Sequence, residues 1–388
     1  MIRWHELPLR RLAECWDYLR VPLNSEQRNE RPGAIPYWGA NSIQGYVDIP
    51  LVDEEVVLIG EDGAPFFDRN RPVAFHIDGP IWPNNHIHVL KPNGQTDARW
   101  LAYALNCVDY SRYIYGSTRD KLTQSALMRI VVAVPPTVEE QRTIADFLDR
   151  ETARIDTLIE EQQRLISLLR ERERTATTVT FGCRVTRGER LKWRFDEIDD
   201  RAGTRSTVLP LMSVSITWGV RRRDEVTENI PRAEDLSNYK ICRAGDIVIN
   251  RMRAFQGALG VSRENGIVSP DYAVLRTRNI VSTEWLAAVM KSDLFVAEMA
   301  SRIKGIGSAD LGSARTPRIN ISDLSEIRVD IPPFATQTSE IDQYRTQRAR
   351  LVSLIEAAET FITLARERRT ALITAAVTGQ IDVRDEVA

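Results

Sequence analysis

The sequence predicts an α+β protein: two copies of a mixed α/β module, each followed by a long amphipathic helix. Two observations carry this. The first is an internal duplication. Lys121-Leu122-Thr123 runs on to Ile130-Val131-Val132-Ala133-Val134-Pro135-Pro136, and Arg318-Ile319-Asn320 runs on to Ile327-Arg328-Val329-Asp330-Ile331-Pro332-Pro333. The offset is 197 at both ends (121 to 318, 136 to 333). One duplication at so long a period means two copies of a module, because a solenoid repeats a short unit several times. The second observation is that each copy is followed by apolar residues at three- and four-residue spacing with charges between them, the pattern of a coiled-coil helix.

Residues 1–136 form the first module. Leu51–Gly60 suggests a strand closed by turn residues, and Trp82–Leu90 suggests another. Trp100-Leu101-Ala102-Tyr103-Ala104-Leu105 reads as a helix start after Thr96-Asp97. Residues 137–183 form the first helical arm. Ile144, Leu148, Ile155, Leu158, Ile159, Leu165, Ile166 and Leu169 mark its stripe, and neither Gly nor Pro interrupts it from Val138 to Phe181. About 40 residues span about 60 Å at ~1.5 Å each, and Gly182 is the expected terminator. Residues 184–333 repeat the module, with Ala244–Asn250 matching the first strand and Trp285–Met290 matching the helix start. Residues 334–388 hold the second arm and tail. Its stripe is Ile341, Tyr344, Leu351, Leu354, Ile355, Phe361, Ile362 and Leu364, and Gly379 ends it. The arms share Arg154/Arg350, Leu158/Leu354, Ile159/Ile355, Glu160/Glu356 and Arg170-Glu171-Arg172/Arg366-Glu367-Arg368 at an offset of 196. A stripe this long needs a partner. The two arms are expected to pack antiparallel as a coiled coil, giving pseudo-two-fold symmetry and a built-in spacer.

The bulk numbers restrict the function. With 388 residues, 43% hydrophobic and 27% charged, the chain has room for two to four domains of ordinary globular composition. No stretch approaches the roughly 18 apolar residues of a membrane span, and Met1–Glu6 lacks the apolar run of a signal peptide. Cys15, Cys107, Cys183 and Cys242 are scattered without a CxxC pair. Reduced thiols in a cytoplasmic protein are the expectation. The net charge of −2 gives no overall basic footprint for DNA. Local runs supply one: Arg221-Arg222-Arg223, and Arg184, Arg187, Arg190, Lys192 and Arg194. The field is then patchy.

Order and duplication together resemble a known family. The module, the Pro-Pro junction, Glu-Gln-Arg-Thr-Ile-Ala-Asp-Phe-Leu-Asp (140–149), Ile155-Asp156 with Leu158-Ile159, and Thr-Gly-Gln-Ile-Asp (378–382) are similar to the specificity subunit of type I restriction-modification systems. Residues 33–48 resemble the opening of that family's target recognition domain, and 267–275 a segment of the second such domain. The resemblance covers essentially the whole chain. It implies two target recognition domains, each reading half of a split, asymmetric DNA sequence. The arms hold them apart and dock two methyltransferase subunits. Those carry S-adenosylmethionine and methylate adenine, and a restriction subunit, where one joins, adds ATP- and Mg-dependent translocation and cleavage. This chain is expected to hold no cofactor and no catalysis. The second arm departs from the pattern: Ala335–Ile341 stands where the first has Val138–Ile144, and the Phe147-Leu148-Asp149 run is missing. Unequal methyltransferase contacts follow.

Base-edge reading needs Arg, Lys, Asn, Gln, Ser or Thr on loops. Asn41, Ser42, Gln44, Thr118, Arg119 and Lys121 fit in the first module. Arg221, Arg222, Arg223, Arg251, Arg253, Lys304, Ser308, Arg315 and Arg318 fit in the second. Any one of them reads equally as a solvated charge. The loops Gly116–Lys121 and Lys304–Arg318 carry more weight, because both directly precede the closing strand. For partner subunits, Gln141, Phe147, Arg154 and Leu168 are the candidates beside the helical seam.

Other motifs read as structure. Ile331-Pro332-Pro333-Phe334 lacks the polar first side chain with which an amino-methyltransferase holds a flipped base. There is no G-x-x-x-x-G-K-[ST] loop for ATP. His86 and His88 lack further ligands at zinc-like spacing and read as surface or polar-core residues, and Glu61-Asp62-Gly63 reads as a turn. Two other functions stay open. A structural coiled-coil scaffold gives no reason for two modules with polar loops. The recognition half of a fused restriction-methylation enzyme would need methyltransferase and nuclease motifs that are missing here.

Overall fold

The computed structural model describes residues 4–114, 120–216, 218–226, 235–278, 280–303 and 317–383. The chain forms two compact units, 1–164 with 358–388, and 165–357.

The first unit is built on a four-stranded antiparallel sheet in the order Ala13–Cys15, Ile87–Pro92, Val56–Gly60, Ala74–Ile77. Strand alternation decides what each face buries. Val57, Ile59 and Leu90 point to the cluster around the helix Ala98–Asn106. Val56, Leu58, Ile87 and Val89 point to the opposite cluster. The central strand is thus covered on both sides, which is why its sequence is a continuous apolar run. A second sheet holds Ile43–Val47, Ile35–Trp38, Pro80–Pro83 and Val52–Asp53. His5–Pro8 pairs antiparallel with Val131–Val134.

The second unit repeats this plan. Its sheet runs Phe195–Ile198, Tyr272–Thr277, Ile247–Asn250, Leu259–Val261. Ile247, Ile249, Ala273 and Leu275 face the cluster around the helix Thr283–Lys291, while Val248 and Val274 face the other. Val185–Arg190 pairs with Arg328–Val329. In place of the second sheet stand two antiparallel strand pairs, Met212–Ser215 with Gly219–Arg222 and Lys240–Cys242 with Gly266–Val268.

The arms are continuous helices, Val138–Phe181 and Phe334–Val377. Within the first unit, Ile144, Ala145, Phe147 and Leu148 from the start of one arm join Ile373, Ala376 and Val377 from the end of the other in one core. Arg369 pairs with Asp156 at 3.0 Å. Within the second unit the Phe181 and Tyr344 rings meet edge-on at 5.2 Å. There Thr177 Oγ1 donates to Tyr344 OH at 3.1 Å, and Arg348 Nε donates to Glu173 Oε1 at 2.6 Å. In each unit the paired segments run in opposite directions.

Two local expectations are corrected. Trp82–Leu90 is two strands in different sheets, because Pro83-Asn84-Asn85 turns the chain. Leu51–Gly60 is likewise two strands, Val52–Asp53 and Val56–Gly60. The first arm ends at Phe181, directly before Gly182 as expected, though Gly182 does not take the left-handed conformation that Gly379 takes, with φ 70°. No helix among the described residues is long and apolar enough to cross a membrane.

Candidate nucleic-acid interface

In the first unit the polar candidates gather where the central strand Val56–Gly60 ends. The hairpin joining Ile35–Trp38 to Ile43–Val47 closes with Gly39 N donating to Ser42 O at 2.9 Å. Its tip lies against the strand end so closely that a Cβ on Gly60 would stand 2.7 Å from Ala40 O. Only glycine fits there. Ser42 and Gln44 are exposed, and Asn41 is half-buried with its Oδ1 unpaired. From the other side, Lys121 bridges Asp62, and Lys121 Nζ lies 3.0 Å from Glu61 Oε1. The hairpin tip with Asn41 and Ser42, from the second sheet, and Lys121 thus come to the end of the first sheet's central strand, with Gln44 two residues along the hairpin's second strand.

Arg20 also pairs with Glu61. Burial works to raise the Glu61 carboxyl, but hydrogen bonds from Arg20 and Lys121 outweigh it and hold the group below its ordinary value of 4.5. Beside it His88 is fully buried. His88 Nδ1 lies 2.6 Å from Asp17 Oδ2, and Nε2 lies 2.8 Å from Leu122 O. Burial likewise opposes ionisation of Asp17, and bonds with His88, Val89 and Arg20 win, holding it below 3.8. Cys15 completes a group whose ligand atoms lie within 4.8 Å of one another, as metal ligands can. Burial and Asp17 push the Cys15 thiol up to about 12, and both His88 ring nitrogens already have protein partners. The donor set therefore reads as polar core.

A pH dependence follows. Carboxyls held below their ordinary values contribute stability that is complete above those values and lost as pH falls through the folded ones. The unfolding temperature is expected to be flat from about pH 7 to 5 and to drop below about pH 4.5. Glu61→Gln should flatten the drop. An acid limb identical to wild type in that variant would remove Glu61 from the account.

The second unit gathers its candidates differently. Arg251 follows the strand Ile247–Asn250 and turns inward: Nε donates to Ile319 O at 3.0 Å and Nη2 to Asn320 Oδ1 at 3.1 Å. It is half-buried, which corrects the expectation of an open reader. Arg253 and Arg318 are exposed. Burial raises the Tyr272 phenol, and the charges of Arg223 and Arg253 partly offset it. Arg221 is exposed on the strand Gly219–Arg222, and Arg222 pairs with Asp224 at 3.1 Å. Thr118, Arg119, Lys304, Ser308 and Arg315 lie outside the described residues.

Two of the four partner-facing candidates face inward. Phe147 is 4% exposed inside the first unit's core. Gln141 is 1% exposed and is a clamp: its Oε1 accepts from Asp97 N at 2.8 Å and its Nε2 donates to Gln95 O at 3.2 Å. Gln337 repeats this on Ser282 N at 2.8 Å and Ile280 O at 3.2 Å. Gln337 is therefore the counterpart of Gln141, at the arms' offset of 196. That corrects the alignment of Ala335–Ile341 with Val138–Ile144 by one residue. Arg154, paired with Glu151, and Leu168 are exposed.

Residues 4–168 match the type I restriction modification DNA specificity domain. That stretch of the chain is thus similar to the DNA specificity domain of type I restriction-modification systems. The chain is 35% identical over 146 residues to S.HindORF215P of Haemophilus influenzae, a putative type I restriction enzyme specificity subunit; the match covers 38% of this chain and 37% of that one. It is 28% identical over 127 residues to the EcoprrI specificity subunit of Escherichia coli, covering 33% and 30%. The chain thus spans less than two fifths of the length of these curated relatives. The whole fold has solved counterparts. The HsdS subunit of Thermoanaerobacter tengcongensis superposes with a TM-score of 0.54 at 16% identity, over 98% of each chain. A chain from a structure on complex assembly and conformational transition of the type I R-M system gives 0.63 at 15%, over 98% of this chain and 99% of that one. At such identities the likeness is one of fold, and the fold is two domains joined by helices.

Proposed function

We propose that this chain is the non-catalytic, DNA-reading specificity subunit of a type I restriction-modification complex in the cytoplasm. Each unit reads one half of a bipartite, asymmetric duplex site. The arms set the spacing and dock two methyltransferase subunits, which carry S-adenosylmethionine. Any restriction subunit supplies the ATP and Mg chemistry. The observation that carries the reading is the second unit's repetition of the specificity domain's scaffold, with polar side chains collected at the end of its own central strand. Exposed apolar residues on the arms support docking: Leu158, Leu165, Leu168, Leu354, Phe361 and Leu364 are all at least 40% exposed.

The test uses one described residue per unit. Lys121→Ala is expected to weaken discrimination in one half-site and Arg318→Ala in the other, each by about 1–3 kcal/mol for a lost base contact. Lys121 exchanges its Glu61 partner for DNA in this scheme. Competition binding against duplexes altered in one half at a time separates the two effects. Equal loss in both halves from either variant would contradict one reader per unit.

A further inference from the structure

Leu122 and Ile319 occupy equivalent places in the duplication, and both are fully buried. Each immediately follows an exposed cation, Lys121 or Arg318. Each has its peptide groups held on both sides. Leu122 N donates to Glu61 O at 2.7 Å, and Leu122 O faces His88 Nε2 at 2.8 Å. Ile319 N donates to Arg251 O at 3.1 Å, and Ile319 O accepts from Arg251 Nε at 3.0 Å. Glu61 and Arg251 are themselves equivalent, each being the residue after its central strand. The backbone bond is the same in both units. The donor to the carbonyl is not: a histidine from the neighbouring strand serves one, and the side chain of Arg251 serves the other.

Satisfying a buried carbonyl explains why some donor is present. It does not explain why each donor is tied down again. Asp17 holds His88 Nδ1 at 2.6 Å and is fixed in turn by Val89 N, which donates to its Oδ1 at 3.1 Å. Asn320 holds Arg251 Nη2 at 3.1 Å. A donor with its own rotamer locked fixes the 122–123 or 319–320 peptide. The N–H bond fixes the peptide before it, which starts at the Cα of Lys121 or Arg318, so that Leu122 or Ile319 is held on both sides and the cation's Cα with it.

We propose that His88 and Arg251 are positioning residues, one per unit, that set Lys121 and Arg318 for base reading. This rests on the DNA-reading function above. The experiment selects bound duplexes from a randomised DNA library with the full chain, co-purified with its methyltransferase, and sequences them. Wild type should select two sequence blocks. His88→Leu should relax the block read through Lys121 by tenfold or more in base discrimination and leave the other block at wild-type preference. Arg251→Met should do the reverse. His88→Gln, which restores an N–H donor, should recover most of the first block. Arg251→Met carries the comparison if His88→Leu does not fold. Variants that unfold at lower temperature yet keep both blocks sharp would overturn the proposal and leave a purely structural role. So would variants that blur both blocks equally. A wild-type chain selecting no split sequence would instead overturn the DNA-reading function itself.

Discussion

Trp285→Phe is expected to cost more stability than Trp100→Phe, although the two rings are fully buried at equivalent places. Trp285 Nε1 donates to Glu340 Oε2 at 2.7 Å, and Glu340 also pairs with Arg184. Trp100 Nε1 is buried without a partner. Phenylalanine at 285 leaves a small cavity and takes a charge-assisted bond from a carboxylate, about 1.5–3 kcal/mol for the bond alone. At 100 it leaves a similar cavity but removes an N–H that was already unsatisfied, which offsets part of the loss. Alanine at either place should cost about 3–5 kcal/mol. Denaturant unfolding of the full chain measures all four variants. Equal costs for the two phenylalanine variants would mean that the Glu340 bond contributes nothing.

Gln141→Leu and Gln337→Leu should each destabilise by about 2–4 kcal/mol, with every stranded backbone group costing about 1–3 kcal/mol. Each leucine strands one part-buried donor, at Asp97 or Ser282; Gln141→Leu also strands the Gln95 carbonyl, and Gln337→Leu the carbonyls of Ile280 and Pro332. Asp97 and Ser282 are the N-caps of the helices carrying Trp100 and Trp285. The clamp therefore ties each arm to the start of its module's main helix. Hydrogen exchange at the Asp97 and Ser282 amides should accelerate along with the loss of stability. Unchanged exchange would show that the clamp is dispensable.

What the sequence made legible follows from which forces act locally. The duplication, the arms' extent and the Trp-bearing helices came from periodicity, and the arms fall on Val138–Phe181 as expected. Single strands were harder to separate, because Trp82–Leu90 carries apolar residues on both sides of an Asn-Asn turn. The Gln141 clamp is hidden in the sequence because Glu139-Glu140-Gln141-Arg142 looks like a solvated face. Only the repeat of Gln at 337, at the arms' offset of 196, could have flagged it. The helical pattern sets Phe147 beside the stripe without naming what covers it. Here the stripe is shared between the opposing arm and the module's own core. Arg251 shows the same limit at the candidate interface. An arginine after a strand suits DNA reading, and nothing local reveals that its guanidinium is already bonded to Ile319 and Asn320.

The central claim is that two units read two halves of one site. Methylome sequencing of a host expressing this chain with its neighbouring methyltransferase, beside a host lacking the chain, tests it most directly. The account predicts a new adenine-methylation motif in two blocks separated by a spacer of fixed length and free sequence. A single contiguous motif, or a stable complex that adds no motif, would contradict it.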